Sequence, residues 1–430
     1  MKKIALILAA LCALIFSLCP ALHAAEAKTR LINGKTCELK GGRLFIDGEW
    51  VFMKSGKPLR DFGSAEGCKN LEEQLPKLKS LGYTNLSLNC YWHHFDFKGD
   101  GGISVSLEPL RKLIDAINEQ GMFASLSVET YGVGGGQLPK GFFEKHPGAV
   151  SVDSEGKEVS DTEYGFGSTV PSLFDENYLK ASRAFIKNLC AALSDKDFLY
   201  CETTVEPQYM GARALDYSQA AKLAYEKWRG ENQISSPKFP AKLPAKKEFV
   251  DNKNWNRFRA EHLAEWINGD ALAMREGFGN KPVWIAVDYL DANEGTMQAR
   301  VGIPEIFLEN LSQADIIQVN WTWDNEFRKP NLKAYKRVYE AMRKKNRNWV
   351  VSEHMTINGS DYRASEMEGL LRNTIENGTG FGWEFVNIAP GGDFSVYDAG
   401  WKPKPHMAVV EQNWQKWLEE IRAKHASEKK

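Results

Sequence analysis

The feature that most constrains the fold is a repeated alternation of short apolar segments with amphipathic helical segments. Such alternation predicts parallel strands joined by helical crossovers. The strands are apolar on both faces, as expected where helices cover one face and a packed interior the other. Eight such units in one chain predict an α/β fold, a closed (β/α)8 TIM barrel. A doubly wound sheet would need a Gly-rich phosphate turn after its first strand, and the sequence has none there. The predicted strands are 59–62, 85–91, 122–128, 198–205, 283–287, 316–321, 349–352 and 381–385, and the predicted helices are 71–81, 107–119, 176–193, 255–275, 303–311, 333–345, 364–376 and 406–424.

The amino-terminal segment has the pattern of an export signal. Lys2 and Lys3 precede an apolar run over residues 4–19, and Ala25-Glu26-Ala27 matches the small-residue cleavage pattern. We therefore expect residues 1–27 to be a signal peptide and the mature protein to be secreted or periplasmic. An uncleaved membrane anchor is the alternative; after cleavage no membrane association is expected.

The remaining residues, 28–430, are expected to form a single (β/α)8 domain with a short N-terminal β-hairpin lid. Asp47-Gly48 is the expected turn of that hairpin. Long connections at 130–175 and 209–253 follow the third and fourth strands. Both leave the carboxyl-terminal face, where barrel active sites lie, so they are expected to form its rim. The alternative is that they are solvated surface excursions.

The charge and the cysteine spacing of the sequence argue against several classes of partner and cofactor. The net charge is −1 and the chain has no basic block, which argues against a nucleic-acid partner. No two of the cysteines have the spacing of metal ligands, so neither a metal nor a cofactor is predicted. Cys90, Cys190 and Cys201 lie in apolar segments and are expected to be buried free thiols.

Two glutamates stand where apolar strands end, Glu206 after the fourth strand and Glu353 after the seventh. A carboxylate at such a junction is costly to bury unless it has a role, although either residue could instead lie on the surface. Cleavage of a glycosidic bond needs a proton donor on the leaving oxygen and a second carboxylate on the opposite face of the sugar. The spacing therefore predicts a catalytic pair, with Glu206 as acid/base and Glu353 as nucleophile.

The sequence around both glutamates resembles the clan A glycoside hydrolases. Val205-Glu206-Pro207 is similar to the clan's Asn-Glu-Pro, and Ser352-Glu353-His354 is similar to its Ser/Thr-Glu-X. The segment 72–82 and the Tyr91-Trp92 pair further resemble glycoside hydrolase family 42, the β-galactosidases, over most of residues 58–420. The resemblance implies a retaining β-glycosidase that acts on an oligo- or polysaccharide, in a family distinct from family 42. Val205 departs from the clan's Asn, which hydrogen-bonds the sugar 2-hydroxyl.

Aromatic and polar residues at the other strand ends are the candidates for holding a sugar. Trp383 matches the clan's tryptophan on strand eight. Glu202, four residues before Glu206, is an alternative acid or an inward-packing residue of the barrel, and Glu129 is a third candidate carboxylate. His93 and His94 are expected to be polar contacts rather than metal ligands. The predicted substrate-binding residues are Trp92, His93, Glu129, Tyr131, Asp288, Asn320, Trp321 and Trp383.

Two other functions remain open from the sequence. The first is a carbohydrate-binding pseudoenzyme on a glycosidase barrel, which Val205 in place of Asn favours. The second is a metal-dependent barrel hydrolase or deacetylase, against which the absence of a metal motif counts.

Overall fold

The structure is a computed structural model, and its described residues exclude the predicted signal peptide and several later segments. The predicted helices at 333–345 and 364–376 lie, apart from residue 340, outside the described part of the chain. The described residues are 28–131, 138–161, 168–209, 216–235, 239, 253–290, 300–320, 323–324, 329–330, 340, 351–354, 381–391 and 395–428.

Eight parallel strands form a closed barrel, as the sequence predicts. Each strand pairs with its neighbours in chain order, and the eighth strand pairs with the first to close the ring. In chain order, barrel strands one to eight are Met53–Lys57, Asn85–Tyr91, Phe123–Glu129, Cys201–Thr203, Ile285–Leu290, Ile316–Asn320, Val351–His354 and Gly382–Val386.

The first barrel strand is not where the sequence predicts it. The prediction is residues 59–62, whereas the strand is Met53–Lys57. Its sequence, MKSGK, is mostly polar, yet all five residues are buried. Lys54 faces the helices, with its ammonium 4.7 Å from the centre of the Tyr83 ring, while Lys57 enters the barrel. A hydrophobic pattern cannot identify a strand whose buried positions are lysines with specific partners.

The helices outside the barrel agree in position with the predicted ones where both can be compared. The predicted helix at 71–81 is two helices, which meet near Pro76. Within the described residues, the third connection also contains a 3-10 turn and a strand pair, and the fourth contains the helix Gln219–Glu231. The helices of the described part of the chain are Ala65–Glu72, Leu75–Ser80, Trp92–Phe95, Glu108–Glu119, Lys140–Lys145, Glu176–Ala192, Gln219–Glu231, Lys253–Phe278, Pro304–Asn310 and Pro405–Glu428.

The hairpin predicted around Asp47-Gly48 is present, as the last two strands of a four-stranded antiparallel sheet spanning Lys28 to Val51. Both turn residues have positive φ, 52° and 83°, as a two-residue hairpin turn requires. Apolar residues of this sheet pack on residues at the amino-terminal ends of the barrel strands. Arg30 donates hydrogen bonds to the carbonyls of Phe198 and Leu199, just before strand four. The sheet therefore covers the end of the barrel opposite to Glu206.

A large apolar layer between the barrel and its helices forms the main core. The cysteines at 37, 68, 90, 190 and 201 are all free and buried, which confirms the prediction made for Cys90, Cys190 and Cys201. No helix among the described residues is long and apolar enough to cross a membrane.

Candidate active site at the carboxyl-terminal end of the barrel

The backbone pairing places the two predicted catalytic glutamates at the same end of the barrel. Strand four ends at Thr203, three residues before Glu206, and Thr203 pairs with Val287 of strand five. Glu353 lies on strand seven, where it pairs with Asn320, the last residue of strand six. Both positions are therefore at the carboxyl-terminal end of the ring, separated by two intervening strands. The side chain of Glu353 lies outside the described part of the chain.

Glu206 is held in an unusual backbone conformation. Its φ is +49°, in the left-handed region, although the residue is not glycine. Its side chain is 5% exposed. Its backbone N–H donates to Oδ2 of Asp288 on strand five at 2.7 Å. The turn at the end of strand four is therefore held by a side chain of the neighbouring strand.

Glu129 ends strand three and is buried inside the barrel. It accepts a hydrogen bond from Nδ2 of Asn89 at 2.9 Å. Burial raises the pKa of Glu129 to about 8, although Lys57 acts in the opposite direction. Glu129 was predicted to bind substrate; in the structure its carboxyl contacts Asn89.

Asp288, the other predicted polar contact, is fully buried on strand five. Burial raises its pKa well above the ordinary value, and the neighbouring Glu202 and Glu206 raise it further. A buried carboxyl group near two others favours the neutral form, because each charge disfavours the next.

Lys57 of strand one joins two glutamates in the barrel interior. Its ammonium lies 2.8 Å from Oε2 of Glu202 and 3.2 Å from Oε1 of Glu384. Glu384 also accepts hydrogen bonds from Tyr200 at 2.6 Å and from Gln318 at 2.7 Å. Glu202 thus packs inward with a cation, the second of its two predicted roles. The sequence did not predict Lys57 as a site residue, because the first strand was predicted at 59–62 rather than at Met53–Lys57. The spacing of Ser55 and Lys57, two residues apart on one face of a strand, is the pattern that could have indicated it.

Two of the predicted sugar-binding aromatics belong to the core instead. Trp92 stacks on Phe185 with ring centroids 6.0 Å apart and donates its indole N–H to Asp96 at 2.9 Å. Tyr131 meets Trp266 edge to face at 5.1 Å. Both predicted side chains are at most 2% exposed, so neither offers a face to a sugar. Aromatic residues just after a strand can equally be anchored by the helix layer, and the sequence does not distinguish the cases.

Trp383, the predicted sugar contact on strand eight, also lies in the core. Strand residues alternate between faces, and its neighbour Glu384 enters the barrel interior. Trp383 therefore faces the helices, where it is fully buried and lies 6.1 Å from the Phe385 ring. The resemblance to the clan's strand-eight tryptophan holds for the sequence position but not for the face of the strand.

Among the predicted contacts whose side chains the structure describes, His93 is the one that is partly exposed, at the start of the segment after strand two. Its ring lies 4.1 Å from that of His94, whose Nδ1 is 3.2 Å from Asp61. Within the described ranges, no group of three or more His, Cys, Asp or Glu side chains is arranged to hold a metal ion. The side chains of Asn320 and Trp321 lie outside the described residues.

Solved structures with a similar fold include a β-amylase and several β-galactosidases. The chain matches the catalytic domain of a β-amylase from Paenibacillus polymyxa at 14% identity and a TM-score of 0.65, over 84% of this chain and 97% of that one. It matches β-galactosidases from Marinomonas ef1 at 13% identity and TM-score 0.63, over 86% of this chain, and from Halorubrum lacusprofundi at 13% and 0.64, over 85%. The chain spans 60% and 58% of those two galactosidases.

Neither a protein-family model nor a curated protein sequence matches the chain. Identities this low show the fold alone, a barrel that the chain shares with β-amylases and β-galactosidases. The predicted resemblance to clan A is thereby supported at the level of fold, and membership of family 42 is not.

Proposed function

We propose that this protein is an exported retaining β-glycosidase, similar to β-galactosidases, that removes terminal sugars from an oligo- or polysaccharide. Glu206 is the acid/base and Glu353 the nucleophile. The observation that carries the proposal is that strands four and seven of one closed barrel bring Glu206 and Glu353 to its carboxyl-terminal end. The likeness of the fold to β-galactosidase structures supports it.

The proposed reaction proceeds in two displacements. Glu353 attacks the anomeric carbon while Glu206 donates its proton to the departing glycosidic oxygen, which leaves a covalent glycosyl-enzyme. Water then attacks the same carbon while Glu206 takes a proton from it, and the bond from Glu353 to that carbon breaks. Two inversions retain the anomeric configuration. The mechanism requires the two carboxyl groups about 5–5.5 Å apart, which is the separation of retaining enzymes.

A panel of nitrophenyl β-glycosides, with the product anomer read by NMR, tests both the sugar and the stereochemistry. We expect turnover with release of the β-anomer. Glu353→Gln should reduce kcat by a factor on the order of 10⁴ or more, because it removes the nucleophile. Glu309→Gln, an exposed glutamate of the helix Pro304–Asn310, is the matched control and should keep wild-type activity. Unchanged turnover in Glu353→Gln would remove the proposed role of this residue, and release of the α-anomer would exclude the retaining mechanism.

A carbohydrate-binding pseudoenzyme is the second candidate. Val205 favours it, because valine offers no hydrogen bond where the clan places an asparagine. Calorimetric binding of a sugar, with no product after prolonged incubation, would support this candidate over the first.

A further inference from the structure

The conformation of Glu206 requires a local restraint. A non-glycine residue with φ of +49° is rare, and a residue before proline prefers extended backbone. Glu206 precedes Pro207, so both local preferences oppose the conformation found. Such backbone persists only where the surroundings determine it, and it concentrates at functional sites.

The restraint that the structure shows is a carboxyl group on the flanking strand five. Asp288 accepts the Glu206 N–H at 2.7 Å. Strand five pairs with strand four in the barrel, so this bond ties the turn to the neighbouring strand and fixes the orientation of the peptide between residues 205 and 206.

The carboxyl group of Asp288 is poorly placed for a direct contact with sugar, because Asp288 is 0% exposed. Burial of a carboxyl group is unfavourable unless its hydrogen bonds are made, and here the bond that Asp288 accepts comes from the backbone of the turn.

We propose that Asp288 is a positioning residue, which holds the left-handed turn at Glu206 and so aims its carboxyl at the glycosidic oxygen. The inference rests on the proposed acid/base role of Glu206 and replaces the expectation that Asp288 binds the sugar. If the role is to position the acid/base, its loss should slow only the substrates whose leaving group needs a proton.

The first test compares two substrates that differ in this need for a proton. Asp288→Ala removes the acceptor, whereas Asp288→Asn keeps an oxygen that can accept the Glu206 N–H. We expect Asp288→Ala to lower kcat/KM for phenyl β-galactoside by on the order of 10²-fold, the lower end of the range for general acid catalysis. For 2,4-dinitrophenyl β-galactoside, whose leaving group needs no proton, we expect a change of less than about 3-fold. Asp288→Asn should recover most of the loss. An equal loss for both substrates would overturn the proposal.

Asp315→Ala is the matched control. Asp315 is also a buried carboxyl that accepts a backbone N–H of strand five, that of Ile285 at 2.8 Å, but at the amino-terminal end of the barrel. It should reduce stability without creating a difference between the two substrates.

A second measurement does not depend on activity. Amide hydrogen exchange of Glu206, read by mass spectrometry with fragmentation, should be at least about tenfold faster in Asp288→Ala than in wild type or Asp315→Ala. Unchanged exchange at this amide in Asp288→Ala would overturn the restraint itself. If no galactoside or other glycoside is hydrolysed but exchange changes as expected, the restraint stands and the proposed function of the chain fails.

Discussion

At the scale of single residues, the barrel interior holds several carboxyl groups around one lysine. Lys57 contacts Glu202 and Glu384 directly, and it lowers the pKa of Glu129 from further away. One ammonium cannot compensate every carboxylate that burial removes from water. The interior must therefore keep some of these groups protonated, and its charge state depends on pH.

The raised pKa of Glu129 determines whether stability rises or falls with pH. Its pKa is raised from 4.5 to about 8. Between these two pH values, the folded state therefore keeps a proton on Glu129 that the unfolded state has released. The contribution to the free energy of unfolding is fully present below the unfolded pKa and is lost as pH rises through the folded one. The excess stability of wild type over Glu129→Gln should therefore fall with pH, by at most about 1.4 kcal/mol per unit.

Urea unfolding from about pH 4 to about pH 9 measures the effect. Glu119→Gln, at an exposed position on the helix Glu108–Glu119, serves as the control and should follow wild type throughout. If the Glu129→Gln and wild-type free energies run parallel over the whole range, the pKa of Glu129 is not raised.

At the scale of elements, periodicity predicted the number and order of the barrel strands because apolar residues recur on the face that most strands turn to the helices. The exception is strand one, where lysines are buried and the prediction fell on residues 59–62. The sequence suggested apolar residues on both faces, but the interior face carries buried polar residues, among them Asn89 and Gln318. The sequence also could not predict which face of the barrel the residues at the strand ends occupy. Trp383 and Glu384 are adjacent, and only the register of strand eight decides which of them enters the interior. Predictions for individual site residues therefore fail more often than predictions for whole strands.

Strands eight and one approach each other closely at Gly382, where they pair to close the barrel. A Cβ added at Gly382 would lie 2.4 Å from the backbone oxygen of Met53, which cannot move without disturbing the ladder. Gly382→Ala should lower the free energy of unfolding by about 1–3 kcal/mol, the usual cost of overpacking. Gly148→Ala is the control, because no atom lies within 4 Å of its added Cβ. Urea unfolding checks both; equal stability of Gly382→Ala and wild type would mean that the two strands separate without cost.

At the scale of the whole molecule, the candidate site is one end of a structure whose other end is closed by the amino-terminal sheet. The sequence predicted the hairpin but not its location, because nothing in a hairpin's own residues says which end of a barrel it will cover. Its apolar side chains, Ile32 and Leu39 among them, share a cluster with Leu199 and Trp284 at the starts of strands four and five. The sheet and the strands that carry Glu206 and Asp288 are therefore packed as one unit.

That packing predicts cooperative unfolding of the sheet and the barrel. Leu39 is 1% exposed, so Leu39→Ala should lower the free energy of unfolding by about 2–5 kcal/mol. Leu31, on the neighbouring strand of the sheet, is 70% exposed, and Leu31→Ala should change little. Urea unfolding followed by tryptophan fluorescence and by far-UV circular dichroism should give one coincident transition, shifted to lower urea in Leu39→Ala. A separate early transition in Leu39→Ala, with the main midpoint unchanged, would instead mean that the sheet unfolds alone and that the barrel holds its site without it.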